Sequence, residues 1–263
     1  MPLFKRVCVW DLPRSPDDLS SLSSTTVFWA TRVFARVWVC HRKKGGIMTL
    51  RNQVLVEGMA TLKAGVLAHI ASRGPLAWVV TLNPEIMMMA QSNPTMARAI
   101  ERAQWVTVDG VGIQWARWVL GLAPVQRLTG VAVVSECVTW PVRVALMGGA
   151  PGVADAAAAA MARAGATVVW VHHGFVSRGD WARVIDDLHH HHPDLILVGM
   201  GSPLQDEWIQ QMAGVLEHGV AIGVGGVLDV WAGTVRRAPV WMQRAGLEWA
   251  WRVMWQPQRL GRL

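Results

Sequence analysis

Six short apolar runs, each closed by glycine or a polar group and spaced by stretches of helical composition, constrain this chain more than any other feature. The runs cover residues 78–82, 105–108, 142–147, 167–171, 195–198 and 220–224. Between them lie helix-like stretches such as 94–103, 153–164, 180–191 and 205–217. A β-run that is apolar throughout needs cover on both faces, and intervening helices supply it. The expected fold is α/β: a mostly parallel, Rossmann-like sheet with helices on both faces.

The residues after each run say where such a sheet would bind a ligand. The first run carries Thr81 and meets Asn83-Pro84, and the second ends at Asp109-Gly110-Val111-Gly112. The third ends at Gly148-Gly149, the fourth at His172-His173-Gly174, the fifth at Gly199-Met200-Gly201-Ser202 and the sixth at Gly225-Gly226. Glycines and polar groups thus gather at the carboxyl ends of the strands, the edge where open α/β sheets bind ligands. Glycine lets a backbone approach a phosphate closely, and the next helix offers unpaired N–H groups. Tight turns use glycine for steric reasons alone, and that reading stays open. The spacing matches neither GxGxxG nor GxxxxGK[ST], which argues against a dehydrogenase and a P-loop ATPase.

Asp109, at the end of its run, is placed to act as a base if partial burial raises its proton affinity; the alternative is a turn or capping carboxylate. No DxD-like acidic pair lies in the sheet region, so no metal or other cofactor is expected. Leaving-group charge would fall to Arg127, Arg236, Arg237 and backbone N–H groups. The run His189–His192 precedes Pro193 at a helix end. Four adjacent side chains point around a helix rather than at one ion, so the expectation there is structural.

Charge is distributed unevenly. Residues 1–47 hold eight basic and three acidic residues, and 236–263 hold six Arg and one Glu. Basic ends suit an anionic surface, phospholipid or nucleic acid. No stretch has the roughly 18 uninterrupted apolar residues of a spanning helix, so any membrane contact is expected to be peripheral. The tail mixes Trp249 and Trp251 with Arg252, Arg259 and Arg262, a composition suited to a headgroup boundary or to a helix packed on the core. Three widely spaced cysteines give neither a disulfide frame nor a zinc spacing and fit a reducing compartment. Three segments are expected: a basic extension over 1–47 outside the fold, with Met48 a candidate start; the α/β domain over 48–235; and a basic helical appendage over 236–263.

The ordered series is more specific than any piece of it. It runs through Thr81-Leu82-Asn83-Pro84-Glu85, Asp109-Gly110-Val111-Gly112, Arg127-Leu128-Thr129-Gly130, Gly148-Gly149 and Val198-Gly199-Met200-Gly201-Ser202-Pro203-Leu204-Gln205-Asp206. It closes with Gly223-Val224-Gly225-Gly226, Asp229, Gly233, Arg237-Ala238-Pro239, Glu248-Trp249, Arg252, Pro257 and Arg259. From about Met48 to the C-terminus this resembles the WecG/TagA/CpsF glycosyltransferase family. The resemblance implies inverting, metal-independent transfer of N-acetylmannosamine or its uronic acid from UDP to GlcNAc on a polyprenyl diphosphate, in teichoic acid or surface polysaccharide synthesis. It implies Asp109 as general base, Thr81 and Asn83 beside it, and Arg127 and Gln205 on the donor. Gly148, Gly149, Gly199, Gly201, Gly225 and Arg237 complete the substrate edge. Arg252, Arg259 and Arg262, with Trp249 and Trp251, would meet the lipid diphosphate and the inner face of the cell membrane from the cytoplasm; no nucleic acid partner is implied. Leu204 stands where the family usually has Lys, and Asp206 where it has Glu. The Leu204 departure motivates an alternative, a non-catalytic, membrane-docked component of a polysaccharide assembly complex. Whether the chain forms a homo-oligomer stays open.

Overall fold

A computed structural model describes residues 55–119 and 123–244, with Glu248, Trp251 and Met254. The extension expected over 1–47 lies outside the described residues, as do Trp249, Arg252, Arg259 and Arg262.

The six apolar runs form six strands: β1 (Ala77–Leu82), β2 (Trp105–Val108), β3 (Arg143–Gly148), β4 (Thr167–His172), β5 (Leu195–Gly199) and β6 (Val220–Gly223). They make one sheet in the order β2-β1-β6-β5-β3-β4, and every pairing is parallel. Side chains of β1, β5 and β6 are buried at every position, whereas the edge strand β4 is only partly covered. This is the burial that unbroken apolar runs require.

Ten α-helices are described around the sheet: α1 (Met59–Ala71), α2 (Pro84–Met89), α3 (Pro94–Arg102), α4 (Val111–Val119), α5 (Gly130–Cys137), α6 (Val153–Arg163), α7 (Trp181–His190), α8 (Leu204–Met212), α9 (Val227–Trp231) and α10 (Val240–Arg244). Helices α2, α3, α7 and α8 cover one face, where Trp78, Trp170, Trp181 and Trp208 fill the core. Helices α1, α5, α6 and α9 cover the other, around Trp140 and Met161. Local chemistry starts these helices where it does. Asn83 and Asn93 each precede a proline, and their Oδ1 atoms accept from Ile86 N at 2.9 Å and from Thr95 N at 2.9 Å. Asn caps, and proline at the first helical position lacks only an N–H that would have gone unpaired.

The topology locates the binding edge. Strand β3 hands the chain to β4 on one side, while β5 hands it to β6 on the other. Adjacent strands whose connections diverge leave a crevice outside their carboxyl ends. Here those ends are Gly148 and Gly199, directly paired in register.

Candidate functional site at the carboxyl edge

Strands β1 and β2 build one half of the edge. Thr81 pairs with Thr107 and Leu82 with Val108, so Asp109 emerges one step beyond the ladder, its N–H donating to Leu82 O at 2.7 Å. The half-buried Asp109 turns towards α5, and its Oδ2 accepts from Gly130 N at 3.3 Å. It thereby takes an N–H from the first turn of α5, whose cap is Thr129. Gly110, at φ 95°, swings the chain away, and a Cβ on Gly112 would come within 2.8 Å of the Pro84 ring. The Asn83-Pro84 and Asp109–Gly112 turns are therefore stacked. Arg127 reaches the same corner from the far side. It bridges Val108, and its Nη2 donates to Gln243 O at 2.7 Å. Thr81 is buried, its hydroxyl donating to Gly223 O at 3.0 Å.

The structure thus brings Thr81, Asn83, Asp109 and Arg127 to one corner. Two of them also have structural work: Asn83 caps α2, and the Thr81 hydroxyl ties β1 to the end of β6. Beneath Asp109, the Thr107 hydroxyl is fully buried with no hydrogen-bond partner.

The other half of the edge is made of backbone. Gly174 N donates to Gly149 O at 2.8 Å and Gly149 N to Gly199 O at 3.2 Å, so three strand-end loops are stitched together. A Cβ on Gly148 would lie 2.5 Å from the Gly199 carbonyl, and one on Gly199 would lie 2.8 Å from Gly225 O. These glycines are required by close contact between loops. Gly201 and Gly225 differ: both have positive φ, 79° and 53°, and nothing lies within 4 Å of where a Cβ would stand. Their backbone faces open space, which suits the approach of a ligand phosphate.

Gln205 is 3% exposed, and its amide is already engaged. Its Oε1 accepts from Gly225 N at 3.0 Å, and its Nε2 donates to Ser202 Oγ at 3.2 Å. Arg237 is exposed and paired with Glu248 at 3.3 Å. Close by in sequence, Trp251 Nε1 donates to Arg236 O at 3.0 Å and Gln243 Nε2 to Ala238 O at 2.7 Å. This segment leaves Val240, Trp241 and Met254 outward at 60%, 64% and 69% exposure.

Asp206 is the polar group the sequence did not single out for the site. It is 4% exposed in the first turn of α8, one of its carboxylate oxygens has no partner, and burial pushes its pKa up from 3.8 to about 6 despite a hydrogen bond from Ser202. Its place directly after the glycine-rich turn was a usable signal. The histidine run ends α7, where Nδ1 of His190 and of His191 donates to the Asp186 and Asp187 carbonyls at 2.7 and 2.8 Å. Among the described residues, no group of three or more His, Cys, Asp or Glu is arranged to hold a metal ion.

A parallel sheet with a carboxylate corner and an open glycine edge at its switch point is an α/β fold of the class that binds ligands outside its strand ends. Comparison narrows the class. The model of the glycosyl transferase WecG/TagA/CpsF family matches residues 50–263. The chain is also 32% identical, over 191 residues, to N-acetylglucosaminyldiphosphoundecaprenol N-acetyl-beta-D-mannosaminyltransferases of Staphylococcus aureus strains MW2 and MRSA252. Each alignment covers 71% of this chain and 75% of the relative. The chain belongs to the WecG/TagA/CpsF glycosyltransferase family.

Proposed function

We propose that this glycosyltransferase moves N-acetylmannosamine, or its uronic acid, from a UDP donor to GlcNAc carried on a polyprenyl diphosphate, with inversion and without a metal. The observation that carries the reading is the corner where half-buried Asp109 meets Thr81, Asn83 and Arg127 at the ligand edge of the sheet. Asp109 takes the proton of the acceptor hydroxyl as its oxygen attacks the anomeric carbon of the donor. The bond to the diphosphate breaks, and UDP leaves with the electron pair. Arg127 and the backbone of the Gly201 and Gly225 loops meet the charge that develops on the leaving group. The names of the relatives support the acceptor and the sugar.

A lipid-linked acceptor has to be reached at a membrane. Among the described residues no helix is long and apolar enough to cross one. The outward Val240, Trp241 and Met254, interleaved in sequence with Arg252 and followed by Arg259 and Arg262, form the segment that docks peripherally on the cytoplasmic face.

The test is release of UDP from UDP-ManNAc in the presence of a short-chain GlcNAc-diphosphate-lipid. Asp109→Asn keeps an oxygen for Gly130 N–H and is expected to lower kcat by about 10²–10⁴-fold. Full turnover by Asp109→Asn removes Asp109 from the base role. Liposome binding without release of UDP from any UDP sugar establishes the non-catalytic alternative instead.

A further inference from the structure

We propose that Glu85 is a specificity-determining residue for the acceptor: its carboxylate takes hydrogen bonds from non-reacting hydroxyl groups of the acceptor sugar while Asp109 takes the proton of the reacting one. The inference rests on the glycosyltransferase reading above. Its starting observation is an unengaged carboxylate. Glu85 is half-buried in the first turn of α2, and its side chain makes no hydrogen bond or ion pair with any described residue. Neither of its oxygens is among the buried polar atoms, so both are open to solvent. A first-turn carboxylate often serves the helix itself by meeting unpaired N–H groups. In α2 that need is met without it. Asn83 Oδ1 accepts from Ile86 N at 2.9 Å, Asn83 O accepts from Met87 N at 3.0 Å, and Pro84 has no N–H to satisfy. The corresponding first-turn carboxylate of α8, Glu207, is also half-buried but is paired with Arg178. Glu85 keeps its charge available.

Its place decides what it can meet. The Pro84 ring stands against the Asp109–Gly112 turn, where a Cβ on Gly112 would lie 2.8 Å from Pro84 Cγ, and Glu85 is the next residue. Helix α2 lies on one face of the sheet, whereas Asp109 accepts from Gly130 N of α5, on the other. The two carboxylates thus flank the ends of β1 and β2 from opposite faces. A free carboxylate repels a diphosphate, which leaves the donor phosphates to Arg127 and the open glycines Gly201 and Gly225. A neutral sugar ring offers hydroxyl and amide donors, and an ionised carboxylate accepts from several of them at once. The ring that puts a hydroxyl on Asp109 is the acceptor's. One of its hydroxyls meets the base, and another is held by Glu85.

The experiment follows UDP release from UDP-ManNAc by the full chain, its Glu85→Ala variant and its Glu85→Gln variant. The acceptors are the short-chain GlcNAc-diphosphate-lipid and analogues that each lack one non-reacting hydroxyl. Glu85→Ala is expected to lower kcat/KM for the acceptor about 10–100-fold, the worth of a hydrogen bond to a charged group. Glu85→Gln keeps one accepting oxygen without the charge and should fall between that variant and the parent. The donor KM and UDP binding by calorimetry should stay within about twofold of the parent's. A merely structural role would instead move the thermal midpoint and both substrates together. One deoxy analogue should cost the parent about as much as the alanine substitution does. The same analogue should cost Glu85→Ala nothing further, because the bond is already gone. Parent-like acceptor kinetics in Glu85→Ala would overturn the proposal. So would a donor KM that rises with the acceptor's, or deoxy analogues that cost parent and variant equally. If the parent releases no UDP, the glycosyltransferase reading falls. Calorimetric binding of the GlcNAc-diphosphate-lipid to parent and Glu85→Ala then decides the contact by itself, and equal or absent binding overturns it.

Discussion

The two halves of the carboxyl edge are built from different materials. At β1 and β2 the edge is made of side chains: an amide caps a helix, a hydroxyl ties two strands, and a carboxylate takes a helix N–H. At β3, β4 and β5 it is made of main chain, with glycine loops bonded to each other through N–H and carbonyl groups. A side-chain half can be altered one functional group at a time. In the main-chain half the loops touch backbone to backbone, so the tolerance of its glycines depends on whether there is room for a Cβ.

That contrast yields the largest expected effect. In Gly148→Ala the new Cβ overlaps the Gly199 carbonyl at 2.5 Å, where both contacts are backbone and neither can rotate aside. A loss on the order of 4 kcal/mol is expected, seen as failure to accumulate soluble protein or as a large fall in the denaturant midpoint. Gly201→Ala meets nothing within 4 Å and carries only the strain of φ 79°, about 1–2 kcal/mol. It should fold and lose donor affinity instead. Equal destabilisation by the two would break the division between packed and open glycines.

How much of this was legible beforehand also divides along the edge. The six strands fall within a residue or two of the apolar runs, because strands buried on both faces leave no polar interruption. The places of Asn83 and Asp109 at strand ends were legible because each directly follows an apolar run, whereas Arg127 follows none and was reached through the resemblance. The strand order was not, since pairing is a tertiary outcome and no run names its partner. The glycines were read alike, as turns or phosphate loops, because a glycine in the sequence does not show what its missing Cβ would have struck. Gln205 was expected on the donor; its burial between two loops is set by neighbours distant in sequence. Tryptophan was ambiguous for the same reason: Trp208 and Trp140 are core, while Trp241 is exposed.

Asp206 gives the next effect, and its sign follows from the direction of its shift. Burial raises its pKa from 3.8 to about 6, with Glu207 contributing in the same direction. The folded chain therefore holds this proton more tightly than the unfolded one. The associated stability is full below pH ~4 and is lost as pH rises through about 6, leaving a penalty at neutral pH of at most about 3 kcal/mol. Asp206→Asn removes that penalty. Its thermal midpoint should exceed the parent's at pH 7.5 and converge with it towards pH 4. A gap that does not change with pH would show that the carboxylate is not titrating in this range.

The smallest effect separates two roles of one side chain. Asn83 and Asn93 make equivalent caps, each followed by proline, but only Asn83 stands beside Asp109. Alanine at either position should cost about 1 kcal/mol in chemical denaturation. Serine at either should restore most of it, because its hydroxyl can accept the same N–H groups. At position 93 turnover should follow stability. At position 83, if the amide also contacts a substrate, serine restores the cap and leaves turnover low, since the hydroxyl is shorter and lacks the NH₂. Recovery of both by Asn83→Ser would reduce Asn83 to a cap and leave Thr81 and Arg127 as the neighbours of Asp109.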